Sequence, residues 1–138
     1  MTRSARETAE AFYASVHAGD FEQLFSVLSD DCTLEYQGPP SIPFAGVFKG
    51  KDKCRIFFGH VAEDVDIQEF RQDEFIVDGN LVAVTGHLKL LMHATGRVYD
   101  SDYVHVHTIR DGHIERFRDF QDTAKAAFVS TPIETPLR

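Results

Sequence analysis

The chain has 138 residues, a formal charge of −8 at pH 7, 43% hydrophobic residues, 12 Phe and no Trp. That length suits one domain, able to bury roughly two thirds of its unfolded surface around an aromatic-rich core. The acidic balance excludes a nucleic-acid binder, which needs clustered Lys and Arg against phosphate, and disfavours anionic membrane surfaces.

In chain order, Ser4-Ala5-Arg6-Glu7 has the form of a capping box, with Ala9, Phe12, Tyr13 and Val16 following at helical spacing and Gly19 as the stop. The N-terminal stretch has no apolar run of signal-peptide type, and no segment approaches membrane-spanning length, so a cytoplasmic, soluble protein is expected. Asp20 with Gln23 starts a second helix, buried through Leu24, Phe25, Val27 and Leu28. Thr33 to Tyr36 alternates as a short strand, and the prolines between Gly38 and Pro43 demand a loop. Asp52 to Glu63 reads as a third helix with Ile56, Phe57, Val61 and Phe58 inward. Cys32 and Cys54 have neither metal-ligand nor disulfide-framework spacing and are expected to be reduced, packed thiols. The chain is then strand-like, from Glu69 to Val77, Leu81 to Met92 and Val98 to Ile109. Asp122-Thr123 caps a short helix through Phe128, and residues 130–138 read as an extended tail. The whole is one domain of α+β class: three N-terminal helices packed on a strongly curved, mostly antiparallel sheet, enclosing a hydrophobic cavity suited to a small molecule.

The segment Tyr103 to Asp122 holds the chemistry-bearing residues. Two alternating runs flank Asp111-Gly112, the signal of a β-hairpin. A strict two-residue turn pairs Arg110 with His113 and sets His105 opposite Arg118. A type I turn with Gly112 as a left-handed bulge pairs Ile109 with His113 instead. The bulged form is preferred, because it gathers Tyr103, His105, His107, Glu115, Phe117 and Asp119 on one face and leaves Val104, Val106, Thr108, Ile114, Arg116 and Arg118 on the other. Arg116 and Arg118 then face outward beside Asp100 and Asp102, as ion pairs or as part of a dimer face. His87 and His93 read as structural or exposed, without a nameable partner.

The helix ending A-G-D with the downstream D-D-C-T-L-E, the F-A-G-V-F-K-G-K-D loop and the closing I-R-D-G-H-I-E-R-F-R-D-F-Q-D-T resemble the SnoaL-like branch of the nuclear transport factor 2-like superfamily, over about Arg6 to Phe128. The resemblance implies a cone of three helices and a bent sheet, usually dimeric and largely cofactor-free. In its polyketide cyclases the general acid/base aspartate lies in an R-D-aromatic motif, which matches Asp119. The active-site histidine of the preceding strand matches His105. Ketosteroid isomerases transfer poorly, since their base falls on Tyr36, their oxyanion tyrosine on Phe12 and their oxyanion acid near His105. The epoxide-hydrolase set fails where Tyr99 follows Arg97 in place of an acid.

A carboxylate at Asp119 beside Phe117 and His105 would be poorly hydrated. Desolvation favours its neutral form and a protonated imidazole favours its charged form, so the pair can trade a proton. Such a base removes a proton α to a carbonyl while His105 or Tyr103 bonds the enolate oxygen. The plain alternative makes Asp119 a local bridge and His105 a satisfied cavity residue. His107, Phe117, Tyr36, Phe12 and Phe57 complete the expected substrate-binding wall with Tyr103, although each aromatic is equally readable as core. His105-x-His107 with Glu115 or Asp119 resembles a metal set but lacks a fourth ligand, and no metal or cofactor is expected. The expectation is a homodimeric enzyme of cyclase, isomerase or dehydratase type for a small hydrophobic carbonyl compound. The alternative is a non-catalytic binding or dimerisation domain.

Overall fold

The first helix begins where the sequence places a cap. In the computed structural model, which describes residues 2–42 and 44–131, the Ser4 hydroxyl accepts from the Glu7 N–H at 3.1 Å and the Glu7 carboxylate accepts from the Ser4 N–H at 2.9 Å. This box opens α1 (Ala5–Ala18), and Gly19, at φ 66°, ends it in the left-handed region. Asp20 caps α2 (Phe21–Val27) by accepting from the Gln23 N–H. β1 (Leu28–Tyr36) follows at once, longer than its alternation suggests, and β2 (Gly46–Lys49) returns antiparallel to it.

α3 (Lys51–Asp64) buries Cys54, Phe57 and Phe58, with Val61 packed against the core. These positions follow the i, i+3, i+4, i+7 stripe. Ile56, expected inward, lies two residues from Cys54, a rotation of roughly 200°, and is exposed. Two helices therefore precede the first strand and the third comes after β1 and β2, so the expected N-terminal helical trio is split by strands. A fourth, α4 (Thr123–Ser130), is capped by Asp122, which accepts from the Lys125 N–H. Ser130 thus belongs to α4 and Thr131 is its cap; the rest of the expected tail, 132–138, lies outside the described residues. Among the described residues no helix is long and apolar enough to cross a membrane.

β3 (Val65–Asp78), β4 (Leu81–Met92), β5 (Val98–Arg110) and β6 (His113–Gln121) form a meander. The sheet order is β2-β1-β6-β5-β4-β3, with only β1–β6 parallel, and its two edges do not meet. Register irregularities in the β1–β6, β3–β4 and β5–β6 pairs bend the sheet. Its inner face buries Val82, Val84, Leu88, Leu90 and Met92 of β4, then Tyr99, Tyr103, His105, His107 and Ile109 of β5.

The β5–β6 turn corrects the preferred register. Asp111 and Gly112 have φ 52° and 73°, a two-residue turn of primed type whose twist suits the strands, and Arg110 pairs with His113. The irregularity falls one pair later: Ile109 faces Ile114, but Thr108 faces Arg116. Ile114 is consequently buried, while Glu115 is the extra residue and meets Arg110 at 3.1 Å. Both placements reverse the expectation, because burying an isoleucine is favourable and burying a lone carboxylate is costly. The delayed bulge nonetheless returns Tyr103, His105, His107, Phe117 and Asp119 to one buried set. Outside, Arg116 binds Glu35 at 2.5 and 3.2 Å rather than Asp100 or Asp102. Those two aspartates flank His87 instead, and His93 finds Asp66 at 2.9 Å, so both histidines have partners the sequence did not reveal.

Candidate functional site

Three neighbouring strands set three polar residues in one row of the inner face. Tyr36 of β1 is the cross-strand partner of Asp119 in β6, and Asp119 is the partner of His105 in β5. His105 and Asp119 are 3% and 7% exposed, and His105 Nε2 lies 3.3 Å from Asp119 Oδ1. Gln121, two residues along β6 and so on the same face, donates from Nε2 to both Asp119 oxygens at 3.0 Å.

Behind His105 stands Tyr13 of α1. Its hydroxyl lies 2.6 Å from His105 Nδ1 and 2.9 Å from His107 Nε2. Burial, then the nearby Tyr103 and Asp119, hold this phenol protonated well beyond its ordinary range. Burial likewise keeps His107 neutral, pushing it well below the usual imidazole value. One phenolic proton must therefore serve two imidazoles. If Tyr13 donated to His107, the His107 proton would sit on Nδ1, a buried nitrogen with no partner, and His105 would turn a bare Nε2 toward the carboxylate. If Tyr13 donates to His105 Nδ1, His107 Nε2–H donates to Tyr13 and His105 Nε2–H points at Asp119. Only the second arrangement leaves no buried N–H unpaired and no lone pair facing a carboxylate.

The carboxylate and His105 open onto a cavity of about 100 Å³, whose size suits a few waters or one compact ring. Phe12, Phe57, Phe58, Phe70, Phe117 and Leu90 are among its apolar walls, and Tyr36, His105, Asp119 and Gln121 supply its polar side. Val16, Phe58, Val61, Val65 and Ile67 also line an adjoining groove of about 490 Å³ between α1, α2 and the α3–β3 junction. The groove gives a longer ligand room outside the closed end.

Of the wall read from the sequence, Phe12, Tyr36, Phe57 and Phe117 line the cavity together with His105 and Asp119. Tyr103 and His107 are not on it. The Tyr103 hydroxyl donates to the Arg71 carbonyl at 2.8 Å and accepts from Gln72 Nε2 at 3.0 Å. It passes over Gly86, where an added Cβ would lie 2.0 Å from the Arg71 oxygen and 2.4 Å from the phenol oxygen. Tyr99 donates to the Asp122 carbonyl, and its phenol is pushed up to about 12, mainly by burial. Burial, then the neighbouring Tyr99, also raises Tyr36, whose hydroxyl has a 3.5 Å contact to Gln121 Oε1. His105 and His107 converge on a phenol rather than a vacant point, and among the described residues no three His, Cys, Asp or Glu side chains form a metal cluster. Sequence reasoning missed Tyr13 and Gln121. Period-two spacing from Asp119 signals Gln121; nothing in the helical pattern distinguishes Tyr13 from a core aromatic.

A curled open sheet over helices, with polar groups at one end of an apolar cavity, is the architecture of nuclear transport factor 2-like proteins. The chain is similar to an NTF2-like protein from Burkholderia xenovorans at 24% identity and TM-score 0.85, covering 95% of this chain and 98% of that one. It is similar to TerC, co-crystallised with polyporic acid, at 25% identity and TM-score 0.77, with 91% and 97% covered. A candidate polyketide cyclase from Pseudomonas putida shares the fold at 17% identity and TM-score 0.74, with 91% and 97% covered. Curated proteins give no significant sequence match. The SnoaL-like domain model matches residues 9–117, and the chain belongs to that family.

Proposed function

We propose that this protein is an acid/base enzyme of cyclase, isomerase or dehydratase type acting on a small hydrophobic carbonyl compound. The observation that carries this reading is a buried carboxylate, Asp119, at the wall of an apolar cavity, with Gln121 donating to it and His105 Nε2 3.3 Å away. Asp119 takes the proton α to the substrate carbonyl, and the electron pair moves onto the carbonyl oxygen as an enolate. Tyr36, which lies beside Asp119 and lines the cavity, donates a hydrogen bond to that oxygen. His105, held by Tyr13, turns Nε2 toward the carboxylate at 3.3 Å, and Gln121 orients it by donating to both oxygens. Tyr103, given a donor role from sequence, has its hydroxyl committed to Arg71 and Gln72. The enolate carbon then attacks a second carbonyl, expels a β leaving group or is reprotonated by Asp119, according to substrate. The co-crystallisation of TerC with polyporic acid supports an organic, acid-bearing ligand class.

The second reading is a pocket that binds without turnover, favoured by Gln121, which already donates to both oxygens of the carboxylate. In either case we propose a homodimer through the outer sheet face, where the cross-strand partners Val104 and Phe120 are 38% and 42% exposed. The experiment is proton exchange: incubate aryl ketones and β-diketones with the protein in D₂O and follow α-proton loss by NMR. Exchange faster than in buffer supports the enzyme. Binding-induced shifts with no exchange across the panel support the binding domain.

A further inference from the structure

Cys32 in β1 and Cys54 in the first turns of α3, read from sequence as separate packed thiols, face one another in the fold. Their Sγ atoms are 3.1 Å apart, closer than ordinary van der Waals contact between two sulfurs. The backbone holds the two elements together here: the Gly50 N–H donates to the Cys32 carbonyl at 2.7 Å, and the Cys54 N–H to the Gly50 carbonyl at 3.0 Å. Neither sulfur lines the cavity or takes part in the acid/base chemistry.

We propose that Cys32 and Cys54 form a redox-modification site, a dithiol that a small hydroperoxide oxidises to an intramolecular disulfide joining β1 to α3. The two sulfurs have different surroundings. A hydrogen bond joins the two sulfurs, and this bond, then the Lys51 charge, holds Cys32 below the ordinary thiol range. The same bond, then burial, pushes Cys54 up. Cys32 is therefore the attacking thiolate and Cys54 the resolving thiol. Cys32 sulfur attacks one peroxide oxygen, the O–O bond breaks, and the departing hydroxide takes a proton to leave as water. Cys54 sulfur then attacks the Cys32 sulfenic acid, and its proton leaves with the hydroxyl as a second water. Two thiols lose two electrons, and one hydrogen peroxide becomes two waters. Peroxide is the fitting oxidant because the two residues are only 2% and 1% exposed, which bars a bulky disulfide such as oxidised glutathione. Closure to a bond of about 2.05 Å shortens the sulfur–sulfur separation by roughly 1 Å, and α3 carries the cavity walls Phe57 and Phe58 one turn further on.

The test treats the native protein with hydrogen peroxide, quenches it, unfolds it in alkylating reagent and analyses its peptides by mass spectrometry. The expected result is simultaneous loss of both thiols and a Cys32–Cys54 peptide about 2 Da lighter than its separate parts. Dithiothreitol reverses it, and the oxidised protein melts roughly 10 °C higher. Cys54→Ser leaves a Cys32 sulfenic acid that dimedone traps when it is present during the unfolding step. Two alkylatable thiols after treatment, independent oxidation to sulfinic acids, or a bond found only between chains would each overturn the proposal. None of these outcomes depends on the Asp119 chemistry.

Discussion

The Tyr13 hydroxyl lies 2.6 Å from His105 Nδ1, and through that one bond a residue of the first helix fixes which nitrogen of a distant strand histidine faces Asp119. Tyr13→Phe removes the bond while keeping the ring that packs against Phe12, Phe70 and Phe75. His105 Nδ1 then has lost its phenolic donor, and the tautomer that presents a bare Nε2 to the carboxylate becomes accessible. The expected outcome is a fall in exchange or turnover of roughly 10- to 100-fold with kcat affected more than KM. A variant whose pH–rate profile overlays that of the wild type would show that Tyr13 is only a packing residue.

Gly86 is required by Tyr103. A methyl group there collides with the Arg71 carbonyl and the phenol that bonds it. Gly86→Ala should cost about 2–3 kcal/mol and lower Tm by roughly 7–10 °C, measured by thermal unfolding. An unchanged Tm would mean that the β3–β4 strand pair yields easily at this point.

His107 contributes a loss of stability on mild acidification, opposite in sign to the contributions of His87 and His93, whose carboxylate partners raise them. The native pKa of His107 is held well below the ordinary value, first by burial and then by His105. Below about pH 6.5 the unfolded chain binds a proton that the native state refuses, so this contribution is full above that pH and declines beneath it, by up to ~1.4 kcal/mol per pH unit. His107→Phe should flatten this slope in urea unfolding at pH 7, 6 and 5. Parallel slopes for variant and wild type would refute the assignment.

Val61 belongs to both the cavity and the adjoining groove. Val61→Trp should fill the space that the cavity and groove share and weaken ligand binding by at least roughly tenfold, ~1.4 kcal/mol, in a variant that still unfolds cooperatively. Retained affinity, by titration calorimetry, would place the ligand's path elsewhere.

Much of this arrangement was legible beforehand, and the failures have local causes. Caps at Ser4, Asp20 and Asp122 show in the sequence because side chain and backbone lie within three residues of each other. The grouping of His105 with Asp119 follows from alternation, although the turn that was to produce it is of another type and the bulge lies at Glu115. Ile56 was misplaced because a run of apolar residues hides its helical phase. Tyr13 and the Cys32–Cys54 contact were illegible, since each joins separate elements brought together only by the packing of helix on sheet, and the His87 aspartates needed the β4–β5 register, which makes His87 and Asp102 cross-strand partners.

The most direct measurement compares Asp119→Asn with the wild type on a ketone that the wild type exchanges, recording the rate and the ligand Kd together. The substitution preserves shape and removes the base. A rate lower by about 10²–10⁴-fold, with Kd within roughly threefold, is the result the acid/base account predicts. An unchanged rate would contradict it, whatever happened to affinity, and would leave the pocket as a binding site alone.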